Sequence, residues 1–363
     1  MSDLISQLQP DQLLPVEVIF NPAWWNASVG LTFDRDFFYN PFCRVQSEKI
    51  MREHLYDRFG DLGLGEKPAL DKPVIGPVHL AAGYLISEML GCDIRYHEAA
   101  PPDVICAHLS TSEIMQLQVP DLNNNPAFQQ LCLLMDELEN KYGYIEGDVN
   151  WSGVLNIALD LRGQELYIDF FDNPALADHL FNIITRTLVR FTRIINTRTR
   201  SSSISVNPMA RHFQFPLFLH SNCSVAMIGR KTYEEKLLLH DQFLAKRLQP
   251  YGVHHCGDNM ELLAPAYAKI CSVSFFDVGW GSNIKDCRAL LPDSFLNLRL
   301  SPVRLLMCSA SEIENDVKQM VWMNGGPHRA GLCCINMDKG TPDSNIRRIF
   351  ATADLLRDVP YQK

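Results

Sequence analysis

The segment Tyr251-Gly-Val-His-His-Cys-Gly-Asp-Asn259 places two imidazoles and one thiol where an apolar run gives way to a turn. His254 and Cys256 are two residues apart, so in an extended strand both side chains point to one side, and His255 points away. Nitrogen and sulfur are typical zinc ligands, and a catalytic zinc needs three protein ligands plus an open position. The segment therefore predicts two ligands of a metal site whose third ligand comes from elsewhere.

Other polar residues are candidates for a fourth ligand or for its support. Leu219-His-Ser-Asn-Cys223 ends a predicted strand, so His220 and Cys223 are two of them. Glu146 and Asp148 are two more, from an earlier loop. Each alone is more often a supporting residue, because a metal-bound histidine usually needs a hydrogen-bond acceptor behind it. The sequence leaves the fourth position open.

The first 45 residues are rich in proline and aromatic residues, including the adjacent Trp24 and Trp25. Rings at this density close the end of a core or wall a substrate pocket, and closing a core is the commoner role. We keep Trp24 and Trp25 as candidate substrate-pocket residues, together with Asn222, which precedes Cys223 in sequence.

Composition limits the class of protein. The chain has 363 residues, 47% of them hydrophobic, which fits one large α/β barrel or two medium domains. The formal charge of −9 argues against binding to a nucleic-acid backbone. The arginines within residues 186–200 alternate with apolar residues, which is typical of the solvated face of an amphipathic helix.

The cysteine content predicts a cellular compartment. The eleven cysteines are odd in number and lack the spacing of a secreted disulfide framework. The start Met-Ser-Asp-Leu has no basic or long apolar region, and no apolar run approaches the ~20 residues of a membrane span. We expect a reducing, cytoplasmic setting without a membrane.

The second half of the chain predicts alternating strands and helices, the rhythm of a parallel sheet. The predicted strands there are 252–256, 270–277, 297–301 and 331–336. The expected architecture is a single (β/α)8 TIM barrel over residues 71–363, with residues 1–70 as an aromatic-rich N-terminal extension and helical segment packed on it.

Three parts of the chain resemble the uroporphyrinogen decarboxylase superfamily, whose members share a (β/α)8 barrel. They are Gly153–Gly163 with Phe171–Pro174, Tyr233–Glu235 with His254–Asp258, and Gly331–Ile335 with Thr341–Ile346. The His-x-Cys…Cys pattern resembles the zinc-dependent, corrinoid-linked methyltransferase branch. That resemblance implies His254, Cys256 and a cysteine of the last strand as zinc ligands. Cys333 matches best, while Cys334 beside it faces the other side of the strand.

The resemblance also implies a function. It implies methyl transfer between a small methylated substrate or a thiol and a corrinoid such as methylcobalamin. No Asp-x-His-x-x-Gly segment is present to hold a corrinoid, so we expect it on a separate partner protein. The N-terminal aromatic residues favour an aryl methyl ether as substrate.

Two alternatives stay open. A decarboxylase of the same superfamily binds porphyrinogen carboxylates through N-terminal arginines, but the comparable region here, Trp24–Phe33, contains no arginine. A non-catalytic zinc- or thiol-binding protein, or a silent subunit, would keep the barrel without an open metal position. Metal content separates a decarboxylase from the methyltransferase.

Overall fold

A computed structural model describes residues 12–75, 83–147, 149, 152–200, 209, 212, 213 and 217–358. Among these residues, strands alternate with helices in the second half of the chain. They are β1 Val16–Phe20, β2 Asp93–Arg95, β3 Asp103–Ile105, β4 Phe218–Ser221, β5 Tyr251–His255, β6 Val273–Val278, β7 Phe295–Arg299 and β8 Ala330–Met337.

The helices begin where the sequence supplies caps. Asn21 and Asn40 each accept a backbone N–H and precede a proline at the first helical position, which fixes the start of α1 and α3. The helices are α1 Pro22–Val29, α2 Arg35–Tyr39, α3 Pro41–Phe59, α4 Leu85–Met89, α5 Thr111–Gln116, α6 Pro126–Tyr142, α7 Val154–Arg162, α8 Glu165–Asp172, α9 Pro174–Thr199, α10 Arg230–Lys236, α11 Leu238–Ala245, α12 Met260–Tyr267, α13 Ile284–Leu290, α14 Pro302–Met307, α15 Ala310–Met323 and α16 Asp343–Arg357.

Six strands form one parallel sheet in the order β1-β8-β7-β6-β5-β4, while β2 and β3 form a separate antiparallel pair. The two faces of the sheet bury different residues. One face carries a small apolar cluster that includes Ile19, Leu219, Phe275 and Phe295, and the other packs on the helices. The predicted α/β class with a parallel sheet is confirmed.

The predicted closed eight-stranded barrel is not met within the described residues. The sheet there has six strands and is open, with β1 and β4 at its edges. The segment between these edge strands contributes one parallel bridge, between Val74 and Glu146. Ladder pairing needs several consecutive residues, and a single bridge does not make a strand.

The N-terminal region contributes to the sheet as well as to its packing. β1 lies within residues 1–70 and pairs with β8, so the sheet begins before residue 71. Trp24 and Trp25 are 2% and 0% exposed. Their rings pack against Phe20, and the Trp24 ring also lies 5.4 Å from that of His54. Both tryptophans therefore belong to the core that joins α1 and α3 to the sheet.

None of the helices in the described ranges combines the length and apolar character that crossing a bilayer requires.

Candidate metal centre

Three side chains meet at the C-terminal ends of β4 and β5. One ligand atom from each of Cys223, His254 and Cys256 lies within 4.8 Å of the other two. Strand pairing explains this meeting, because Ser221 is opposite His254 and the N–H of Asn222 donates to the His254 carbonyl at 2.8 Å. Two sulfurs and one nitrogen form a donor set that suits zinc.

The ring of His254 is held by an acid on the next strand. His254 is 4% exposed, and its Nδ1 donates to Oδ2 of Asp277 at 2.5 Å. Oδ1 of Asp277 accepts from the Asn297 amide at 2.6 Å. Burial lowers the pKa of His254, but the Asp277 carboxylate outweighs burial and raises it. This tautomer leaves Nε2 with a lone pair, the arrangement of metal-bound histidines.

The two cysteines of the group differ in their acidity. A hydrogen bond from the Cys223 thiol lowers the pKa of Cys256, and His254 and Arg299 add to this effect against burial. The same bond, together with burial, raises the pKa of Cys223. Cys256 is also exposed, whereas Cys223 is partly buried. Cys256 is therefore the member of the pair that favours the thiolate form, and a thiolate is the form that binds metal.

Arg299, the last residue of β7, lies beside this group. Its Nη1 donates to Nε2 of His254 at 3.3 Å. Its Nε is buried and lacks a hydrogen-bond partner among the described residues. Burial lowers the pKa of Arg299, but nearby acidic groups, of which Cys333 acts most strongly, outweigh burial and raise it. The centre thus contains one fixed positive charge.

The two cysteines of β8 face opposite sides of the sheet. Cys333 belongs to the small apolar cluster, and its Sγ accepts from Asn297 at 3.1 Å. Cys334 packs in the larger cluster on the helix side. Burial raises the pKa of both thiols, that of Cys334 to about 12. Cys333 lies near Arg299 but outside the three-residue group, and Cys334 faces away from it.

His220 and Asn222, which precede Cys223 in the chain, make hydrogen bonds within the protein next to the three-residue group. The Val154 N–H donates to Nε2 of His220, and Nδ1 of His220 lies 2.7 Å from the hydroxyl of Tyr251. The Asn222 amide donates to the buried carboxylate of Asp241 at 2.7 Å. Both ring nitrogens of His220 are thus engaged within the protein, which fits support more than ligation.

Other predicted residues lie apart. Glu146 is in the parallel bridge with Val74 and outside the three-residue group. Asp148 lies outside the described residues. The predicted pocket residues Trp24 and Trp25 are in the core. His255 points away from the group as expected, with Nδ1 3.0 Å from the Tyr267 hydroxyl.

Glycines allow backbones to approach closely at this end of the sheet. A Cβ at Gly153 would lie 1.9 Å from the Ser221 carbonyl oxygen, and one at Gly279 would lie 2.0 Å from the Gly257 carbonyl oxygen. The start of α7 can therefore rest directly on the end of β4, next to Cys223.

Asp277, Asn297 and Arg299 belong to the site but are not among the residues predicted from the sequence. Each interrupts or ends an otherwise apolar strand, with the first two 0% exposed. A polar residue in a buried strand needs a partner, so this pattern was a signal for the site.

No protein-family model matches the chain, and no curated protein sequence matches it. Among solved structures, the chain is similar to a methyltransferase from Methanosarcina mazei, with a TM-score of 0.67 and 14% sequence identity. The match covers 98% of this chain and 96% of the other. At this identity the similarity shows a shared fold.

Proposed function

We propose that the protein is a zinc-dependent methyltransferase that moves a methyl group between a small methylated substrate or a thiol and a corrinoid on a separate protein. The observation that carries the proposal is the convergence of Cys223, His254 and Cys256, with His254 oriented by Asp277. The fold shared with a methyltransferase agrees with it.

The residues of the centre fit zinc. The group supplies an imidazole nitrogen and two sulfurs, one of them in a thiol whose pKa is lowered. Zinc, when bound there, supplies a Lewis acid for the oxygen or sulfur of the substrate. Asp277 orients His254, and Asn297 in turn orients Asp277. These two residues hold the ligand set in place during reaction.

In methyl transfer, the chain itself would bind and orient the substrate and would exclude water. The corrinoid supplies the methyl-carrying cobalt, and the chain provides position and electrostatics. Cys256 is the exposed member of the group, so substrate and partner would approach from its side. A cytoplasmic location, predicted from the cysteines, belongs to the same proposal.

Metal content tests the proposal. Wild type purified without added metal is expected to hold close to one zinc per chain, and His254→Ala and Cys256→Ser well below half of that. Cys271→Ser is the matched control, because Cys271 is an exposed cysteine outside the group. Wild type with less than about half a zinc per chain would overturn the proposal.

Methyl transfer needs a second measurement. Zinc-loaded protein, free methylcobalamin and an added thiol are mixed, and loss of methylcobalamin absorbance is followed. We expect turnover by wild type and by Cys271→Ser and none by Cys256→Ser. The test is repeated with candidate corrinoid proteins in place of free methylcobalamin. Zinc binding without turnover in both cases would favour the alternative hypothesis of a non-catalytic zinc-binding protein or a silent subunit.

A decarboxylase is the second candidate. Arg299 favours it, since it brings an arginine to the centre that the N-terminal segment lacks. One arginine gives a tetracarboxylated substrate few partners. Stoichiometric zinc would exclude the decarboxylase. Absence of zinc together with release of carbon dioxide from a carboxylated pyrrole would establish the decarboxylase.

A further inference from the structure

The guanidinium of Arg299 is incompletely paired within the described part of the chain. Its Nε is buried without a partner among the described residues, and its Nη1 donates to Nε2 of His254. A neutral imidazole nitrogen has one lone pair, which cannot serve both a metal and a donor. A metal on Nε2 would therefore displace Nη1 from this nitrogen, and the flexible Arg299 side chain would have to turn its guanidinium to another acceptor.

The guanidinium lies next to the candidate metal position. Nη1 is 3.3 Å from Nε2 of His254, so a guanidinium displaced from this nitrogen would stay within reach of a substrate atom bound beside the metal. Asp277 and Cys333 are near enough to interact with this cation, yet Asp277 already bonds His254 and Asn297. A partly buried cation with an unpaired Nε donor favours an anionic acceptor.

We propose that Arg299 is a catalytic residue that donates a hydrogen bond to the oxygen leaving a methyl ether or methyl ester, which makes an O-methyl compound the substrate class. This inference rests on the proposed function. The bond between the methyl carbon and oxygen breaks, and its electron pair stays on the oxygen. The methyl carbon bonds to the reduced cobalt on the partner, whose electron pair forms the new bond. Arg299 shares the negative charge left on oxygen.

The same residue discriminates among methyl donors. A guanidinium stays charged at every physiological pH, so Arg299 repels methylated ammonium compounds. Sulfur is a weak hydrogen-bond acceptor, so a leaving thiolate gains less from Arg299 than a leaving phenolate does. Oxygen is thus the leaving atom that the centre favours.

The experiment measures binding of 4-nitrophenolate, a coloured analogue of the leaving group, to zinc-loaded full-length protein. Wild type is compared with Arg299→Gln, Arg299→Lys and the control Arg329→Gln, whose arginine lies at the opposite end of the strands. Zinc content and melting temperature are measured for each. 4-Nitrobenzenethiolate serves as the sulfur analogue.

Arg299→Gln is expected to weaken phenolate binding about 10- to 100-fold, the loss typical of one hydrogen bond to a charged group. Arg299→Lys is expected to be intermediate, because it keeps the charge without the two-pronged geometry. Arg329→Gln and the zinc content should match wild type, and thiolate affinity should change less than phenolate affinity.

Two failures are distinguishable. Wild type without zinc overturns the proposed function and this inference with it. The role of Arg299 alone is overturned if zinc-loaded wild type does not bind 4-nitrophenolate. The same holds if it binds 4-nitrophenolate no more tightly than zinc-loaded Arg299→Gln and Arg299→Lys do.

Discussion

Nδ1 of His254 donates to the Asp277 carboxylate at 2.5 Å, across the pairing of β5 with β6. This bond fixes the ring so that Nε2 faces the two cysteines of the group. Asp277 would therefore act on a bound metal through another side chain.

Replacing Asp277 with Asn should weaken zinc binding without removing a ligand. We expect about 10- to 100-fold lower zinc affinity in Asp277→Asn, measured by competition with a chromophoric chelator. Asp293→Asn is the control, because Asp293 is an exposed carboxylate paired with Arg329. Equal affinity in Asp277→Asn and wild type would show that this hydrogen bond does not orient the ligand.

The second sulfur ligand can be identified by cobalt substitution. Geometry predicts that Cys223→Ser weakens the thiolate-to-cobalt absorption of Co²⁺-loaded protein, since Cys223 lies within the three-residue group. Cys334→Ser should leave the spectrum unchanged, because Cys334 packs on the helix side. A spectrum insensitive to Cys223→Ser but weakened by Cys333→Ser would assign the position to β8, as the family resemblance implies.

Asp160 is predicted to make stability depend on pH. Burial raises its pKa from 3.8 to about 6, while the hydrogen bond from Ser87 opposes this. The folded state therefore holds the proton more tightly than the unfolded chain. Stability is favoured below the unfolded pKa and falls as pH rises to about 6, by on the order of 3 kcal/mol.

Asp160→Asn should remove this loss and keep an acceptor for Ser87. We expect the free energy of unfolding in urea to rise by on the order of 1–3 kcal/mol at pH 7.5 and to change little at pH 4. Asp172→Asn, an exposed carboxylate variant, is the control. An equal effect of Asp160→Asn at both pH values would rule out titration as the cause.

Trp25 is predicted to act through stability. It is 0% exposed, and its ring packs edge-on against Phe20 and Trp24. Trp25→Ala should lower the free energy of unfolding by about 3–5 kcal/mol. Trp25→Phe should lose less stability and keep its activity on an aryl methyl ether, measured below its melting temperature. A stable Trp25→Phe protein with lost activity would instead place Trp25 in the substrate pocket.

Local sequence signals predicted those parts of the site that depend on local spacing. The two-residue separation of His254 and Cys256 sets their common direction in any strand, and α9 begins at Pro174 as the Asn-Pro signal indicates. Cys223 is a candidate from sequence because the segment Leu219–Cys223 ends a predicted strand. Alternation along β8 likewise separates Cys333 from Cys334.

The rest depends on register between strands, which spacing along one strand does not encode. Asp277 meets His254 because β5 and β6 pair with those residues opposite each other. Arg299 reaches the group from a strand that is not adjacent to β5. The aromatic density around Trp24 could not separate a core from a pocket wall, since both bury large rings.

The position of Cys223 at the end of β4 has a mechanical consequence. In the described sheet β4 is an edge strand, with β5 as its neighbour. A metal bound by both Cys223 and Cys256 would link β4 to β5. Metal occupancy would then lower the frequency of local unfolding at this edge. Amide hydrogen exchange in β4 should therefore slow when zinc is added, so that the candidate metal centre would also stabilise the edge of the sheet.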